Sequence, residues 1–432
     1  MVRGRDQASR ARSVHVYLPS QVSAAKVFGP LAAAFLFASP AVAQPLVPLP
    51  SQPEGLAWPT EGWEEGEMPA ETAALVRPLI DRAMAGERDE VMGVTRAIVI
   101  VHRGKVVAEA YREGFGPETK QISWSMAKSI TSALVGRAMQ QGLIDNLDAP
   151  MPSPFDADDP RAAITWRQWM TMTDGLDYLE IGATGLMNND VVQMMYGRGR
   201  FDVLQYIKDE LPPAHEPGAV WNYSTVAFHL IGRAVQTSLG LTGRCSTAAS
   251  EVSQARAATP VTRCTPTDGP MADWMNTALF VPLGMDAQPE FDTAGTYLGG
   301  SLVWASARDF AKFGYLYLRD GVWEGEYLLP EGWVDFARTD PPGTEATVYG
   351  AGFWLSPEHP VPAEQGIGKP PFDAFSAQGH EGQTIWIVPS RDLVIVRLGL
   401  MGEAGGDWPA LFEWNQEIAR AFPDVTSGAG AD

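Results

Sequence analysis

Two pairs of β-rich runs, one towards each end of the chain, set the frame into which everything else has to fit. Ala97 to Val101 and Val106 to Tyr111 are joined by His102-Arg103-Gly104-Lys105, and Thr384 to Val388 and Leu393 to Leu398 by Pro389-Ser390-Arg391-Asp392. Each pair reads as an antiparallel hairpin, because β-branched apolar runs flank a short segment of turn-forming residues. Helical patterns fill much of the rest: Pro69 to Ala85, then Trp166 to Met172, Val203 to Glu210 and Val226 to Gln236, and finally Leu411 to Ala421. Ser306-Ala307-Arg308-Asp309 is a capping-box pattern opening a helix that runs to Leu318. The expected class is α+β. A mixed domain (69–163 and 281–422) has an antiparallel sheet built from both chain ends and flanked by helices, and a mostly α domain (164–280) is inserted into it. Residues 44–68, rich in Pro, Glu and Trp without a period, read as an extended lead-in, and 423–432 as a tail.

A chain of 432 residues, 45% hydrophobic, can bury a large core. Its net charge of -20 argues against nucleic acid or an anionic membrane as partner, since both need a basic footprint. The basic residues Arg3, Arg5, Arg10, Arg12 and Lys26 precede or border an apolar stretch, 27–43, that ends in Ala41-Val42-Ala43. That is the layout of a secretory signal peptide over residues 1–43 with cleavage before Gln44, and it predicts a periplasmic or secreted protein with no stable membrane insertion after cleavage. Cys245 and Cys264 are the only cysteines. In an exported protein a lone pair is most simply a disulfide, and a loop of this size gains roughly 3 kcal/mol in the chain-entropy model. Two free thiols in a surface loop are the alternative. A metal site would need more ligands than these, and no metal or organic cofactor is expected.

Chemistry first shows at Ser125-Met126-Ala127-Lys128, at the start of an amphipathic helix with Ile130, Leu134, Val135 and Met139 as its apolar stripe. Residues three apart on a helix share a face, so an amine stands beside a hydroxyl. A Ser hydroxyl becomes a nucleophile when a neighbouring base takes its proton, and an uncharged Lys is one such base. The pattern alone is weak: Ser23-Ala24-Ala25-Lys26 repeats it inside the expected leader. Lys128 has to titrate well below about 10.4 to serve, which burial can bring about. Tyr223 follows a Pro- and Gly-rich turn and is the best second base, since a phenol beside an ammonium ionises more easily. Its plainer reading is a Tyr at the core edge beside a helix start. Gly379-His380-Glu381-Gly382-Gln383 precedes an apolar strand, and the Gln383 amide there could donate to an oxyanion. Ser125, among the first N–H groups of its helix, is the other donor. The alternative is a glycine-rich turn with a solvated His380.

In this order the motifs resemble those of the serine β-lactamase and penicillin-binding-protein superfamily, closest to the class C β-lactamase-related esterases and the 6-aminohexanoate-dimer hydrolases. Further signposts are Thr171 to Tyr178, Glu216-Pro217-Gly218, Trp221-Asn222-Tyr223-Ser224, Pro282-Leu283-Gly284-Met285 and Gly300 to Trp304. The resemblance covers residues 70–422 and implies a β-lactamase/transpeptidase-like fold. It implies Ser125 as acylated nucleophile, Lys128 as the base beside it and Tyr223 as general acid/base. Gln383 with Ser125 would form the oxyanion hole, and His380, Gly382, Tyr178 and Thr225 would bind substrate. Two positions depart from the β-lactamase pattern: Thr225 stands where those enzymes have Asn, and His380 where they have Lys. Losing that fixed positive charge removes much of the attraction for a substrate carboxylate. The expectation is a carboxylesterase or amidase acting on small esters or amides. A D,D-peptidase or β-lactamase, or a binding protein that keeps the fold without the chemistry, are the alternatives.

Overall fold

The computed structural model describes residues 46–85, 92–241, 245–248, 261–264, 268–341, 349–355, 373–401 and 408–426. The expected leader (1–43), most of the loop between Cys245 and Cys264, and most of 349–375 lie outside the described residues. The two hairpins join into a single antiparallel sheet. Its strands are β1 (Val94–His102), β2 (Lys105–Tyr111), β3 (Trp354–Leu355), β4 (Phe375–Gly379), β5 (Gln383–Val388) and β6 (Leu393–Leu400), in spatial order β3-β4-β5-β6-β1-β2. The seam between the chain ends is the β1–β6 ladder, which runs from Val94 opposite Leu400 to His102 opposite Leu393. Strand β4, Phe-Ser-Ala-Gln-Gly, has a single large apolar residue and no β-branched one, and goes unread in the sequence for that reason.

Alternate residues of β1 feed two different cores, as the pleat requires. Ile98 and Ile100 pack with Val76 and Ile80 of helix α1 (Ala70–Met84) and with the last helix (Trp408–Ala421) through Leu411, Trp414 and Ile418. Ala97, Val99 and Val101 face the opposite side. There they join Ile130 and Leu134 of α2 (Ala127–Gln140), Phe228 and Val235 of α3 (Thr225–Ser238), and Phe310 and Phe313 of α4 (Ala307–Leu318). Each of the Val, Leu, Ile and Phe side chains among them contributes roughly 1.5–3 kcal/mol on full burial. Trp169 and Ile207, from the short helices Trp166–Met170 and Val203–Glu210, lie in the same cluster. The helical middle segment and the sheet domain therefore share one apolar core.

Helix α2 differs from the amphipathic element that its sequence suggests, because it is buried on nearly every side. Its hydroxyls make this tolerable by donating to backbone carbonyls of neighbouring segments: Ser129 to Gly352 at 2.6 Å, Thr131 to Gly299 at 2.8 Å and Ser132 to Ala351 at 2.9 Å. A polar face here marks contact with other backbone and not with water. The helix also begins later than expected. Trp124–Met126 form a 3-10 turn and the α-helix starts at Ala127, so Ser125 sits on a tight turn leading into it. Residues 245–248 and 261–264 pair as an antiparallel ribbon with Cys245 directly opposite Cys264. None of the described helices is long and apolar enough to cross a membrane.

Candidate active site

The turn carrying Ser125 is held in place from two sides. Ser123 closes it against the strand-like residue Val303, accepting from the Val303 N–H on its hydroxyl at 2.9 Å and donating its own N–H to the Val303 carbonyl at 2.8 Å. On the other side lies the end of β4, where a Cβ on Gly379 would overlap the Ser123 carbonyl and come within 3.2 Å of the Ser125 nitrogen. The two turns that the sequence singled out are thus neighbours, and the His380 ring meets the Trp124 ring edge-on at 5.4 Å. Trp124 takes a left-handed φ of 45°, a conformation that bulky residues avoid. Its place immediately before the candidate nucleophile fits the tendency of backbone strain to collect at functional sites.

Lys128 is the centre of the site. It is 1% exposed, and its Nζ lies 2.8 Å from Ser125 Oγ, 2.8 Å from Thr225 Oγ1 and 2.7 Å from the Gly300 carbonyl oxygen. Burial lowers its pKa from 10.5 to about 8, and the Glu180 carboxylate pulls in the opposite direction. A neutral amine keeps two N–H donors and gains a lone pair. With Thr225 and Gly300 taking the donors, the lone pair is left for the Ser125 hydroxyl. Tyr223 lies beside them, its ring centroid 4.9 Å from Nζ. The phenol is not activated as the sequence suggested. Burial and the Glu180 charge push its pKa up, and only contact with the Ser125 hydroxyl opposes them. Lys128 faces the ring, so desolvation outweighs the help expected from the ammonium. Tyr223 stacks on Trp354 at 5.2 Å and meets Tyr349 edge-on at 5.9 Å, which gives the site an aromatic wall.

Three further groups complete the constellation: Gly300 opens one of the signposts named in the sequence, whereas Glu180 and His229 were not foreseen from it. Glu180 accepts from the Thr225 hydroxyl at 3.0 Å, the Thr225 N–H at 3.1 Å and the Tyr178 phenol at 2.7 Å. Gly300 places its carbonyl on Lys128 while its N–H donates to His229 Nδ1 at 3.1 Å. A side chain at Gly300 is excluded, since a Cβ would stand 2.5 Å from the Thr225 carbonyl oxygen. His229 is fully buried, and burial together with the Lys128 charge lowers its pKa to about 3. It is therefore a neutral acceptor at Nδ1 with its proton on Nε2. Thr225 and His229 lie four apart on α3, and that helical spacing is the one signal by which His229 could have been read.

The residues assigned to substrate binding separate into two groups. His380 is open to solvent, with 62% of its side chain exposed and Nε2 3.7 Å from Glu381 Oε1. Gly382 takes φ 74° in the same turn. Thr225 and Tyr178, by contrast, are turned inward: Thr225 is a bridge between Lys128 and Glu180, and the Tyr178 phenol is spent on Glu180. Both side chains are buried, and Glu180 gathers their hydroxyls. The Gln383 side chain is bound to Gly399 through both amide atoms, at 2.7 Å and 2.9 Å, so its amide group is not left for a substrate. Among the described residues no group of three or more His, Cys, Asp or Glu could hold a metal ion.

The β-lactamase family profile matches residues 79–399. The 6-aminohexanoate-dimer hydrolase of Paenarthrobacter ureafaciens is 24% identical over 316 residues, which span 70% of this chain and 72% of that protein. Among solved structures, a Bacillus anthracis protein provisionally described as a 6-aminohexanoate-dimer hydrolase aligns with a TM-score of 0.58 at 20% identity, covering 84% of this chain and 89% of its own. A penicillin-binding protein homologue from Caulobacter crescentus aligns with a TM-score of 0.55 at 15% identity, over 83% and 99% of the two chains. These structural likenesses speak for the fold. The profile match runs through both the Ser125 turn and the Gly379 to Gln383 turn, and the chain belongs to the β-lactamase family, within the serine β-lactamase and penicillin-binding-protein superfamily.

Proposed function

We propose that this protein hydrolyses esters or amides of small, uncharged molecules through an acyl-enzyme on Ser125. The observation that carries the reading is a buried Lys128, lowered to about 8, within 2.8 Å of the Ser125 hydroxyl. In this mechanism Ser125 Oγ attacks the substrate carbonyl and its proton passes to the neutral Lys128 amine. The Ser125 and Gln383 N–H groups receive the oxyanion. Tyr223, held protonated, gives its proton to the leaving oxygen or nitrogen and is resupplied from Lys128. Water then attacks the acyl ester, its proton returns through the same pair, and Ser125 is released.

His380 in place of the superfamily's Lys, and the aromatic wall of Tyr223, Trp354 and Tyr349, support a substrate without a carboxylate next to the scissile bond. The relative that bears the name 6-aminohexanoate-dimer hydrolase supports amides alongside esters. We further infer export to the periplasm or the medium, from the leader pattern alone. The test is a panel of p-nitrophenyl esters, anilides and penicillins with mass detection of the adduct. Ester turnover and an acyl adduct on Ser125 are expected in the wild type, with neither in Ser125→Ala. A Ser125→Ala protein that kept its esterase activity would sink the reading. Durable labelling of Ser125 by a fluorescent penicillin would turn it towards D,D-peptidase or β-lactamase activity.

A further inference from the structure

A buried guanidinium lies behind the turn that carries His380, Glu381 and Gly382. Arg397, on β6, is fully buried. Its Nη1 donates to the carbonyl oxygens of Glu381 at 3.0 Å and Gly382 at 2.9 Å. Its Nη2 donates to the Met92 carbonyl at 2.6 Å, and its Nε to the Thr95 hydroxyl at 3.3 Å. Two glycines make the slot. A Cβ on Gly382 would stand 2.6 Å from Nη1, and one on Gly399 would stand 2.7 Å from both Cζ and Nη2. Glu381 and Gly382 take left-handed φ values of 62° and 74°. Successive residues of one helical hand align their carbonyls, which lets a single nitrogen reach both.

A peptide unit joins the C=O of one residue to the N–H of the next through a bond with partial double-bond character. The two carbonyls held by Arg397 therefore belong to the same units as the N–H groups of Gly382 and Gln383. Positive charge at the oxygen draws electron density from the nitrogen and makes the N–H a stronger donor, more so where the local dielectric is low. The fork of the guanidinium also fixes the plane of each unit, because its donors are rigid with respect to one another.

We propose that Arg397 is a positioning residue of the reaction, orienting and polarising the Gly382–Gln383 peptide so that the Gln383 N–H stabilises the oxyanion. It touches neither the substrate nor Ser125. The assignment rests on the acyl-enzyme reading above, in which the Gln383 N–H is an oxyanion donor. Its effect grows with the charge on the substrate oxygen and so belongs to the transition state more than to the bound substrate.

The chain has a single Gly-Gln step, Gly382–Gln383. Protein made with carbonyl-13C glycine and 15N glutamine therefore gives one carbonyl-to-amide cross-peak, which reports this peptide alone. In the wild type the amide proton is expected to move downfield when a fluorophosphonate adds to Ser125. In Arg397→Lys and Arg397→Gln the Gly382 carbonyl carbon should move upfield and the adduct-induced proton shift should shrink. The kcat for a p-nitrophenyl ester should fall about 10-fold with KM little changed. A folded variant that lost activity with the cross-peak unmoved would reduce Arg397 to a structural residue and overturn the proposal, as would a moved cross-peak with kcat intact. Should neither variant fold, the wild type decides: a Gly382 carbonyl carbon at its random-coil position, or a Gln383 amide indifferent to the adduct, overturns the assignment. Mass spectrometry reads adduct formation separately. Failure to modify Ser125 at all would remove the acyl-enzyme reading and this assignment with it, whereas a modified Ser125 with an indifferent Gln383 amide removes only the latter.

Discussion

At the scale of single residues, the protonation state of Lys128 should govern activity. A base must be neutral to work, so kcat/KM is expected to rise with pH and level off above an apparent pKa near 8, as burial of the amine requires. Glu180 opposes that lowering through its charge, so Glu180→Gln should move the limb to lower pH; a limb that stayed put or moved up would show that the carboxylate does not act on the amine. Ser125 and Lys128 were legible in the sequence because their relation is local, three residues on a turn. Tyr223 was legible through the company of ordered motifs. Glu180, His229 and Arg397 were not, because what matters about each is a contact with a residue distant in the chain: Thr225 for Glu180, Gly300 for His229, and the Glu381–Gly382 carbonyls for Arg397. A pattern of residue types carries no trace of such pairings.

At the scale of elements, the end of β4 abuts the Ser125 turn so closely that it admits no side chain. Gly379→Ala should displace the Ser123 carbonyl and with it Ser125. A shift of this kind can cost roughly 10²-fold in rate, read here as the rate of fluorophosphonate labelling against an unchanged far-ultraviolet circular dichroism spectrum. Helix α2 gives a stability counterpart. Thr131→Val would leave the Gly299 carbonyl without its donor, and a loss of about 1–3 kcal/mol is expected in urea unfolding. The amphipathic stripe read from its sequence misled because Ser and Thr satisfy neighbouring backbone as readily as they satisfy water. The 245–248 and 261–264 ribbon sets Cys245 opposite Cys264. Directly opposed residues of an antiparallel pair lie about 4.5–5.5 Å apart at Cα, within the range a disulfide spans. We expect the intact protein to resist iodoacetamide until reduced and then to gain two adducts; alkylation without reductant would mean free thiols.

For the whole molecule, the buried His229 links stability to acidity. Its folded pKa of about 3 lies below the ordinary 6.5, so between those values the unfolded chain binds the extra proton and stability falls as pH drops. By pH 5 this single group accounts for about 2 kcal/mol, an order-of-magnitude figure from 1.36 kcal/mol per unit. Urea midpoints measured at pH 7.5 and 5 should therefore diverge less in His229→Asn than in the wild type, and equal divergence would place the acid sensitivity elsewhere. The α+β class could be read from the two hairpins because β1 and β6 are β-branched apolar runs long enough to be buried on both faces. The shared core of the helical segment and the sheet could not, because apolar stripes say that a face is covered without saying by what.

The β1–β6 seam sets a clock on biosynthesis. Val94 waits for Leu400, about 300 residues later, and at roughly 5–20 residues per second that interval is about 15–60 s. Over that time β1 and β2 can make only a lone hairpin, which is marginal by itself. Ser125 and Lys128 are already synthesised, but the strand end that abuts their turn is not. The nascent chain is consequently inert as a catalyst and rich in exposed apolar strand until its last strands appear, so binding by a chaperone should be strongest before residue 400 emerges and should drop once it has.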